Sequence, residues 1–235
     1  MSDSRNPHAL DASVHSLAQK TAEAIQTLGL DLSTVKQQML VDYLLELQKW
    51  NKTYNLTAVR GLDNMLVQHI FDCLAILPQL ESYEAQKSAR WADVIDVGSG
   101  AGLPGVVIAI ARPQISVTCI DAVHKKHAFV SQVANKLGLK NLQSLHARVE
   151  KVSNLKADLV ISRAFSSLSS FVDLCDHLVR PGGNLAAMKS KQINEEIQVF
   201  EQEHTAFLID KLDELNVPQL DAKRFLVWVR RKSHE

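Results

Sequence analysis

A glycine-rich segment in the middle of the chain constrains its fold more than any other feature. The segment from Asp96 to Gly105 reads DVGSGAGLPG and directly follows the apolar pair Val94-Ile95. Glycine tolerates the backbone angles of a sharp turn, and its lack of a side chain lets a ligand approach the main chain closely. Such a turn between a strand and a helix is typical of units that bind nucleotide-like ligands. We therefore predict a strand, a glycine loop and a helix here.

Strand-length apolar runs alternate with amphipathic helical patterns from residue 91 onward. The predicted strands cover 94–97, 116–120, 142–146, 159–161, 184–189, 206–211 and 225–230. The predicted helices cover 105–111, 124–137, 168–179 and 192–201, with a turn at 181–183. This alternation implies a parallel sheet with helices on both faces, and the last two strands lack an intervening helix. We expect an α/β, Rossmann-like fold with a mostly parallel seven-stranded sheet whose last strand is antiparallel.

The first third of the chain shows a helical pattern instead. Apolar residues recur at helical spacing from Leu17 to Leu28, from Met39 to Trp50 and from Met65 to Leu77. Pro78 is predicted to end the third of these helices. The predicted divisions are a disordered leader, a helical segment and an α/β domain, over 1–10, 11–88 and 89–235.

Composition excludes several classes of protein. The chain has 235 residues, and 26 basic residues balance 26 acidic ones. Cys73, Cys119 and Cys175 are far apart, so we expect no disulfide framework and no zinc or other metal site. The amino terminus lacks the apolar run of a signal peptide, and the longest apolar run, Val106–Ala111, is too short to span a membrane. We expect a cytoplasmic monomer without a membrane partner.

The glycine spacing alone fits two kinds of ligand. Gly98, Gly100 and Gly102 form a G-x-G-x-G loop. The last two, with Gly105, also match the G-x-G-x-x-G fingerprint of dinucleotide-binding proteins. Asp96 distinguishes between the two kinds of ligand. A carboxylate here repels the pyrophosphate of a dinucleotide but attracts the sulfonium and ammonium groups of S-adenosylmethionine. The sequence therefore favours S-adenosylmethionine; a dehydrogenase, and a loop that needs glycine only for its backbone, remain as alternatives.

Four segments, in the same order, resemble one family. They are Lys49–Thr57, Gln68–Cys73, Asp96–Gly105 and Ser162–Phe165. Together they resemble the bacterial 16S ribosomal RNA guanine-N7 methyltransferases, the small-subunit methyltransferase G family, over residues 35–230. The resemblance implies a class I methyltransferase domain that uses S-adenosylmethionine. It also implies a partner, 16S rRNA or the 30S ribosomal particle, methylated at N7 of a guanine in the decoding-region loop.

Site residues follow from the loop and from the resemblance together. Asp121 ends the second predicted strand, where its carboxylate can accept hydrogen bonds from the ribose hydroxyls of either kind of cofactor. The predicted cofactor-binding residues are Asp96, Gly98, Gly100, Gly102, Leu103, Asp121, Arg148, Val149 and Arg163. The predicted RNA-binding residues are Lys125, Lys126, Arg148 and Lys189. The predicted catalytic residues are Arg163 and Lys189.

The chemistry of N7 suits these residues. N7 of guanine has a lone pair and no proton, so its methylation needs alignment of the reactants rather than a general base. Arg163 can contact the cofactor, a phosphate or the O6 atom beside N7, and Phe165 can stack on a base. Eight Lys or Arg residues between 122 and 163 face only Glu150 and Asp158, which predicts a positive surface for RNA. For Lys136, Lys140 and Lys156 an ordinary solvated helix face remains the alternative.

Two further side chains, His69 and Trp50, have more ordinary interpretations. His69 is predicted to be a hydrogen-bonded core histidine with Asp72 as a candidate partner. Trp50 is predicted to pack on the α/β domain in preference to touching RNA.

Two other functions stay open: methylation of another RNA base or of a small molecule, and RNA binding by a non-enzymatic regulator.

Overall fold

A seven-stranded sheet forms the centre of the molecule, in a computed structural model that describes residues 7–190 and 193–232. The strands are β1 (Asp93–Val97), β2 (Ser116–Asp121), β3 (Leu142–His146), β4 (Ala157–Ser162), β5 (Val179–Lys189), β6 (Phe207–Leu215) and β7 (Arg224–Arg231). Their order is β3-β2-β1-β4-β5-β7-β6, with β7 antiparallel to both of its neighbours. The predicted fold class and the antiparallel last strand are confirmed.

Helices cover both faces of this sheet. They are α1 (Pro7–Thr27), α2 (Thr34–Tyr54), α3 (Leu62–Met65), α4 (Asp72–Leu74), α5 (Leu77–Lys87), α6 (Gly105–Ala111), α7 (His124–Lys136), α8 (Leu168–Cys175) and α9 (Ile193–Glu203). One buried cluster joins the amino-terminal helices to α6, α7 and one sheet face, and a second lies under α8 and α9. None of the described helices is both long and apolar enough to cross a membrane.

Helix α2 fastens the amino-terminal helices to the α/β part of the chain. The hydroxyl of Ser33 caps its first turn by accepting from the Lys36 amide, and Asn55 ends it in the left-handed conformation. Trp50 packs edge-on against Phe129 of α7, with ring centroids 5.5 Å apart. This contact confirms that Trp50 packs on the α/β part, and it places the end of α2 beside α7.

Local predictions failed at three places. Pro78 lies in the first turn of α5, a position that suits proline, so it does not end the third helix. Residues 181–183 lie within β5 rather than in a turn before it, and the pairing with β4 shifts register there. Helix α1 begins at Pro7, inside the predicted leader; the rest of that leader, 1–6, lies outside the described residues.

The sheet has two edges that matter for function. We call the edge where β1 to β5 end the carboxyl edge, and the opposite one, where they begin, the amino edge. Strand β1 lies between β2 and β4, so the chain reverses its direction of winding at β1. Ligands of open α/β sheets bind at the carboxyl edge beside such a reversal. The glycine loop lies at this point.

Candidate active site

The glycine loop turns the chain from β1 into α6. The amides of Gly98 and Ser99 both donate to the carbonyl of Ile120 at the end of β2, at 2.8 and 3.2 Å. Gly98, Gly100 and Gly102 all have positive φ, at 66°, 61° and 86°. A Cβ on Gly98 would lie 2.8 Å from the Cβ of Ala164. Glycine is therefore required here both by the backbone angles and by the close approach of the segment after β4.

Asp96 lies beneath the loop, fully buried. Its Oδ2 accepts from the amide of Gly105 at 2.8 Å, where α6 begins, while its Oδ1 has no hydrogen-bond partner among the described residues. Burial raises the pKa of this carboxyl from 3.8 to about 7, against the opposing effects of the Gly105 amide and the Arg163 charge. A buried acceptor without a partner fits a cationic ligand nearby, although Asp96 itself does not line the cavity described below.

Asp121 holds the other side of the loop. Its two oxygens accept from the amides of Gly100 and Val123, at 2.9 and 2.8 Å, and the Lys126 ammonium lies 3.6 Å from it. Each carboxylate oxygen has a second lone pair. Asp121 can therefore fix the loop and still accept from a ribose hydroxyl, although it does not itself line the cavity beside the loop.

A cavity of about 170 Å³ opens beside the loop. It is lined by Leu56, Thr57, His69, Gly98, Ser99, Gly100, Ala101, Leu103, Arg163 and Ala164. These residues come from the glycine loop, from the segment after α2, from the helical turns before α4 and from the segment after β4. This volume is smaller than a site that encloses a whole cofactor, roughly 300 Å³ or more. The cavity can therefore enclose only part of a cofactor, with the remainder on the open surface.

Arg163 projects from the end of β4 into a network of acceptors. Its Nη1 donates to the Gln68 carbonyl at 3.0 Å and to Asp72 Oδ2 at 3.1 Å. The second oxygen of Asp72 accepts from Nε of Arg224, on β7, at 3.1 Å. Asp72 is buried, so two arginines share one buried carboxylate. The guanidinium of Arg163 is consequently fixed in the cavity wall.

His69 lies in the same wall and is neutral. Its Nε2 lies 2.9 Å from the hydroxyl of Thr57, and its Nδ1 lies 3.1 Å from the Gln68 carbonyl. Burial first, and then the neighbouring Arg163 charge, lowers the pKa of His69 from 6.5 to about 4. A hydrogen-bonded core histidine is confirmed. The prediction that Asp72 is its partner is wrong, because the carboxylate binds the two arginines instead.

The other predicted residues also lie at the carboxyl edge but contact different groups. Lys125 donates to the Tyr54 carbonyl at 2.7 Å, and Arg148 is largely exposed beside Glu150. The Lys189 ammonium donates to the Phe165 carbonyl at 3.0 Å and pairs with Glu196 at 2.7 Å, with 8% of its side chain exposed. Val149 is buried after β3. Lys189 therefore supports the segment after β4 from below and does not line the cavity.

The predicted positive face is not one surface. Lys136 pairs with Glu46 of α2, and Arg163 pairs with Asp72. Lys140 and Lys156 precede β3 and β4, which places them at the amino edge. The single basic face expected between 122 and 163 is thus a wrong prediction, because parallel strands carry consecutive loops to opposite edges of the sheet.

One contact at the loop was missed by sequence reasoning. The hydroxyl of Tyr43, on α2, donates to the Ala101 carbonyl at 2.8 Å. Tyr43 is fully buried. In the sequence it is simply one of the apolar positions that recur at helical spacing from Met39 to Trp50. A tyrosine among aliphatic residues is the only signal, since a buried phenol needs a partner. This bond supports the cavity wall from the amino-terminal side.

The sheet order, the antiparallel β7 and the glycine loop at the point of reversal define a Rossmann-like methyltransferase fold. The N-methyltransferase NodS from Bradyrhizobium japonicum, solved with S-adenosylhomocysteine, shares this fold with a TM-score of 0.54 and 13% identity over 80% of this chain and 99% of that one. A methyltransferase from Geobacter sulfurreducens, also solved with S-adenosylhomocysteine, matches with a TM-score of 0.50 and 14% identity, over 66% and 91% of the two chains.

The family model of rRNA small subunit methyltransferase G matches residues 36–227. Ribosomal RNA small subunit methyltransferase G of Bordetella avium is 48% identical over 91% of this chain and 93% of its own. The protein of the same name from Methylibium petroleiphilum is 44% identical over 92% and 95% of the two chains. The chain belongs to the rRNA small subunit methyltransferase G family, which confirms the resemblance found in the sequence.

Proposed function

We propose that the protein transfers a methyl group from S-adenosylmethionine to N7 of a guanine in the decoding-region loop of 16S rRNA. Family membership supports methyl transfer to small-subunit ribosomal RNA; the atom and the position are the finer part of the proposal. One observation carries that part. The described cavity lining contains no carboxylate, and its one histidine has a pKa of about 4. Methylation of an exocyclic amine or a hydroxyl needs a proton acceptor, whereas methylation of N7 does not.

The residues at the carboxyl edge suit the cofactor. When bound, S-adenosylmethionine supplies an electrophilic methyl group on a positively charged sulfur. Gly98 and Gly100 line the cavity and would hold it through their carbonyls, because their amides already donate to Ile120 and Asp121. Leu103, Arg148 and Val149 would add further contacts. Gly102, whose amide and carbonyl are bonded to Ser99 and Val106, would act by shaping the loop. Asp121 would accept from its ribose. Asp96, buried beneath the loop with one oxygen unpartnered, provides the negative charge that a cationic cofactor requires.

The guanine would be held by groups that are already fixed. Arg163 is held by Asp72 and by the Gln68 carbonyl, so its remaining N–H donors can face O6 of the base, next to N7. Phe165 is half-buried and its backbone is supported by Lys189, which suits stacking on a base that leaves its loop. These residues align the acceptor with the methyl group, and alignment is the main demand of this reaction.

RNA would reach the site across the cations at the carboxyl edge. Lys125, Lys126 and Arg148 follow β2 and β3, on the same edge as Arg163. Lys189 would act through the Phe165 segment, because its ammonium is already paired with Glu196. We place the protein in the cytoplasm, with small-subunit ribosomal RNA.

The proposal is tested by mapping the methylated position. Labelled S-adenosylmethionine is incubated with the protein and either free 16S rRNA or 30S particles, and the RNA is then treated with borohydride and aniline, which cleaves at N7-methylguanine. The expected result is one new cleavage, in the decoding-region loop. Label on an exocyclic amine or on a small molecule would contradict it, and RNA binding without any transfer would indicate a non-enzymatic regulator. Charge reversal of Lys125 and Lys126, with Lys140→Glu at the amino edge as the control, tests the RNA path.

A further inference from the structure

A second, larger cavity lies at the amino edge, away from the active site. It is a groove of about 760 Å³ where β1, β4 and β5 begin and β7 ends. Strand β1 has five residues, which puts roughly 17 Å of sheet between this groove and the glycine loop. One nucleotide cannot reach both places. Whatever binds the groove is either a separate ligand or a distant part of a large substrate.

The groove is positively charged. Seven Lys or Arg side chains line it, against two aspartates. Four of these cations have carboxylate partners: Arg180 pairs with Asp93 and Asp158, Arg231 with Asp176, and Lys87 and Arg230 share Asp210. Seven cations against these four carboxylates leave an excess of three positive charges. This excess favours an anionic ligand.

Two of the cations supply much of that excess. Arg90 and Lys156 are exposed, and neither has a carboxylate partner among the described residues. The Lys156 ammonium donates only to the His177 carbonyl. Arg90 precedes β1 and Lys156 precedes β4, and these two strands are neighbours in the sheet. Both side chains therefore line the groove and are open to a ligand.

The distribution of charge indicates an extended anion rather than a single phosphate. Arg90 and Lys156, which have no carboxylate partner among the described residues, stand at β1 and β4. The ion-paired Arg180 and Arg231 continue the row at β5 and β7, and the four strands are consecutive neighbours in the sheet. Three strand spacings correspond to roughly 14 Å. A single phosphate group is much shorter than this span, whereas consecutive phosphates of a polynucleotide backbone can extend along it. The backbone of a polynucleotide fits that row better than a mononucleotide does.

We propose that the amino-edge groove binds the sugar–phosphate backbone of a part of the RNA substrate that is remote from the methylated base. The inference rests on the proposed function, since it assumes that the substrate is a large structured RNA. It assigns Arg90 and Lys156 to phosphate contacts. Arg180 and Arg231 are given a structural role instead, because their guanidinium groups are already paired with aspartates in the wall of the groove.

The test compares long and short RNA. Dissociation constants are measured by filter binding for a long fragment of 16S rRNA and for a short hairpin that carries the target loop. Arg90→Glu and Lys156→Glu should each weaken binding of the long fragment roughly three- to tenfold and lower its salt slope by about 0.7–0.9. Hairpin binding should stay within about twofold of wild type. Lys140→Glu, an exposed charge reversal at the same edge but beside β3, is the matched control and should change neither.

The possible outcomes separate the two proposals. Unchanged binding of the long fragment by both variants, or equal weakening of fragment and hairpin, would overturn the groove assignment. Competition by a mononucleotide at micromolar concentration would also overturn it, in favour of a separate small ligand. Wild-type protein that binds both RNAs but methylates neither would contradict the proposed function and leave the groove standing. Unchanged melting temperatures and binding of S-adenosylhomocysteine show that the variants are folded.

Discussion

Arg163 and Asp72 form an ion pair of 3.1 Å that joins the end of β4 to the amino-terminal helices at the candidate active site. The same carboxylate binds Arg224 of β7, also at 3.1 Å. Three distant parts of the chain therefore meet at one buried acid. Since Arg163 lines the cavity and Asp72 does not, we expect Asp72 to act by positioning Arg163.

The first prediction concerns this pair. Asp72→Asn keeps the shape but removes the charge and turns one acceptor oxygen into an NH2 donor, so that one of the two guanidinium groups loses its acceptor. We expect it to lower the free energy of unfolding by about 1–3 kcal/mol, as measured in urea. We expect methyl transfer to fall by roughly one to two orders of magnitude, because a misplaced group at an aligned site is costly. Asp63→Asn, at the exposed pair with Lys20, is the control and should change neither quantity. A normal transfer rate in Asp72→Asn would remove the positioning role.

The second prediction concerns the pH dependence of cofactor affinity. Burial raises the pKa of Asp96 to about 7 without a ligand, and a nearby cation favours the ionised form. Binding should therefore release a proton, and affinity for S-adenosylmethionine should increase as the pH rises through about 7. The stability of the ligand-free protein should change in the opposite direction. The pKa of Asp96 is higher in the folded protein than in the unfolded chain, so its contribution to stability is lost as the pH rises through about 7.

Calorimetry in two buffers of different ionisation enthalpy measures that proton release. The ligand amine also titrates, so the comparison is with Asp96→Asn, which keeps the ligand's contribution and removes that of the carboxyl. The difference between the two proteins is the signal. Identical pH profiles would show that Asp96 does not sense the cofactor charge.

A third prediction tests the close packing below the loop. A Cβ on Gly105 would lie 2.5 Å from Cys119 Sγ and 3.0 Å from Asp96 Oδ2. Gly105→Ala should therefore lower stability by about 1–3 kcal/mol through overpacking. Combined with Cys119→Ala, which removes the sulfur, the same change should cost less than it does alone. Thermal melts of both single variants and the double variant give the coupling. Strictly additive losses would mean that the sulfur contact is not the cause.

The fourth prediction concerns the bond from Tyr43 to Ala101. Tyr43→Phe leaves the buried Ala101 carbonyl without this donor, which should cost about 1–1.5 kcal/mol of stability. Because Ala101 lines the cavity, affinity for S-adenosylhomocysteine should fall as well. Tyr54→Phe, at a half-exposed tyrosine of the same helix, is the control. A loss of stability with unchanged affinity would limit Tyr43 to a structural role.

The glycine loop and the sheet could be predicted because their signals are local. Gly98 to Gly102 carry the backbone angles of the turn, and the strands show as short apolar runs. The hydrogen bonds around Asp72 could not be predicted, because Asp72 is 91 residues from Arg163 and 152 residues from Arg224 in the sequence. Sequence proximity instead suggested His69 as its partner. Lys156 was misplaced for the same reason, since which sheet edge a loop joins depends on the whole topology.

The identity of the methylated nucleoside tests the central claim most directly. 16S rRNA from cells that lack this protein is incubated with it and labelled S-adenosylmethionine, then digested to nucleosides and separated by chromatography with mass detection. The account predicts that the label appears as N7-methylguanosine, at about one methyl group per RNA, and is absent when Arg163 is replaced by Ala. Label in a nucleoside methylated on an exocyclic amine or a ribose hydroxyl would contradict a site that works without a proton acceptor.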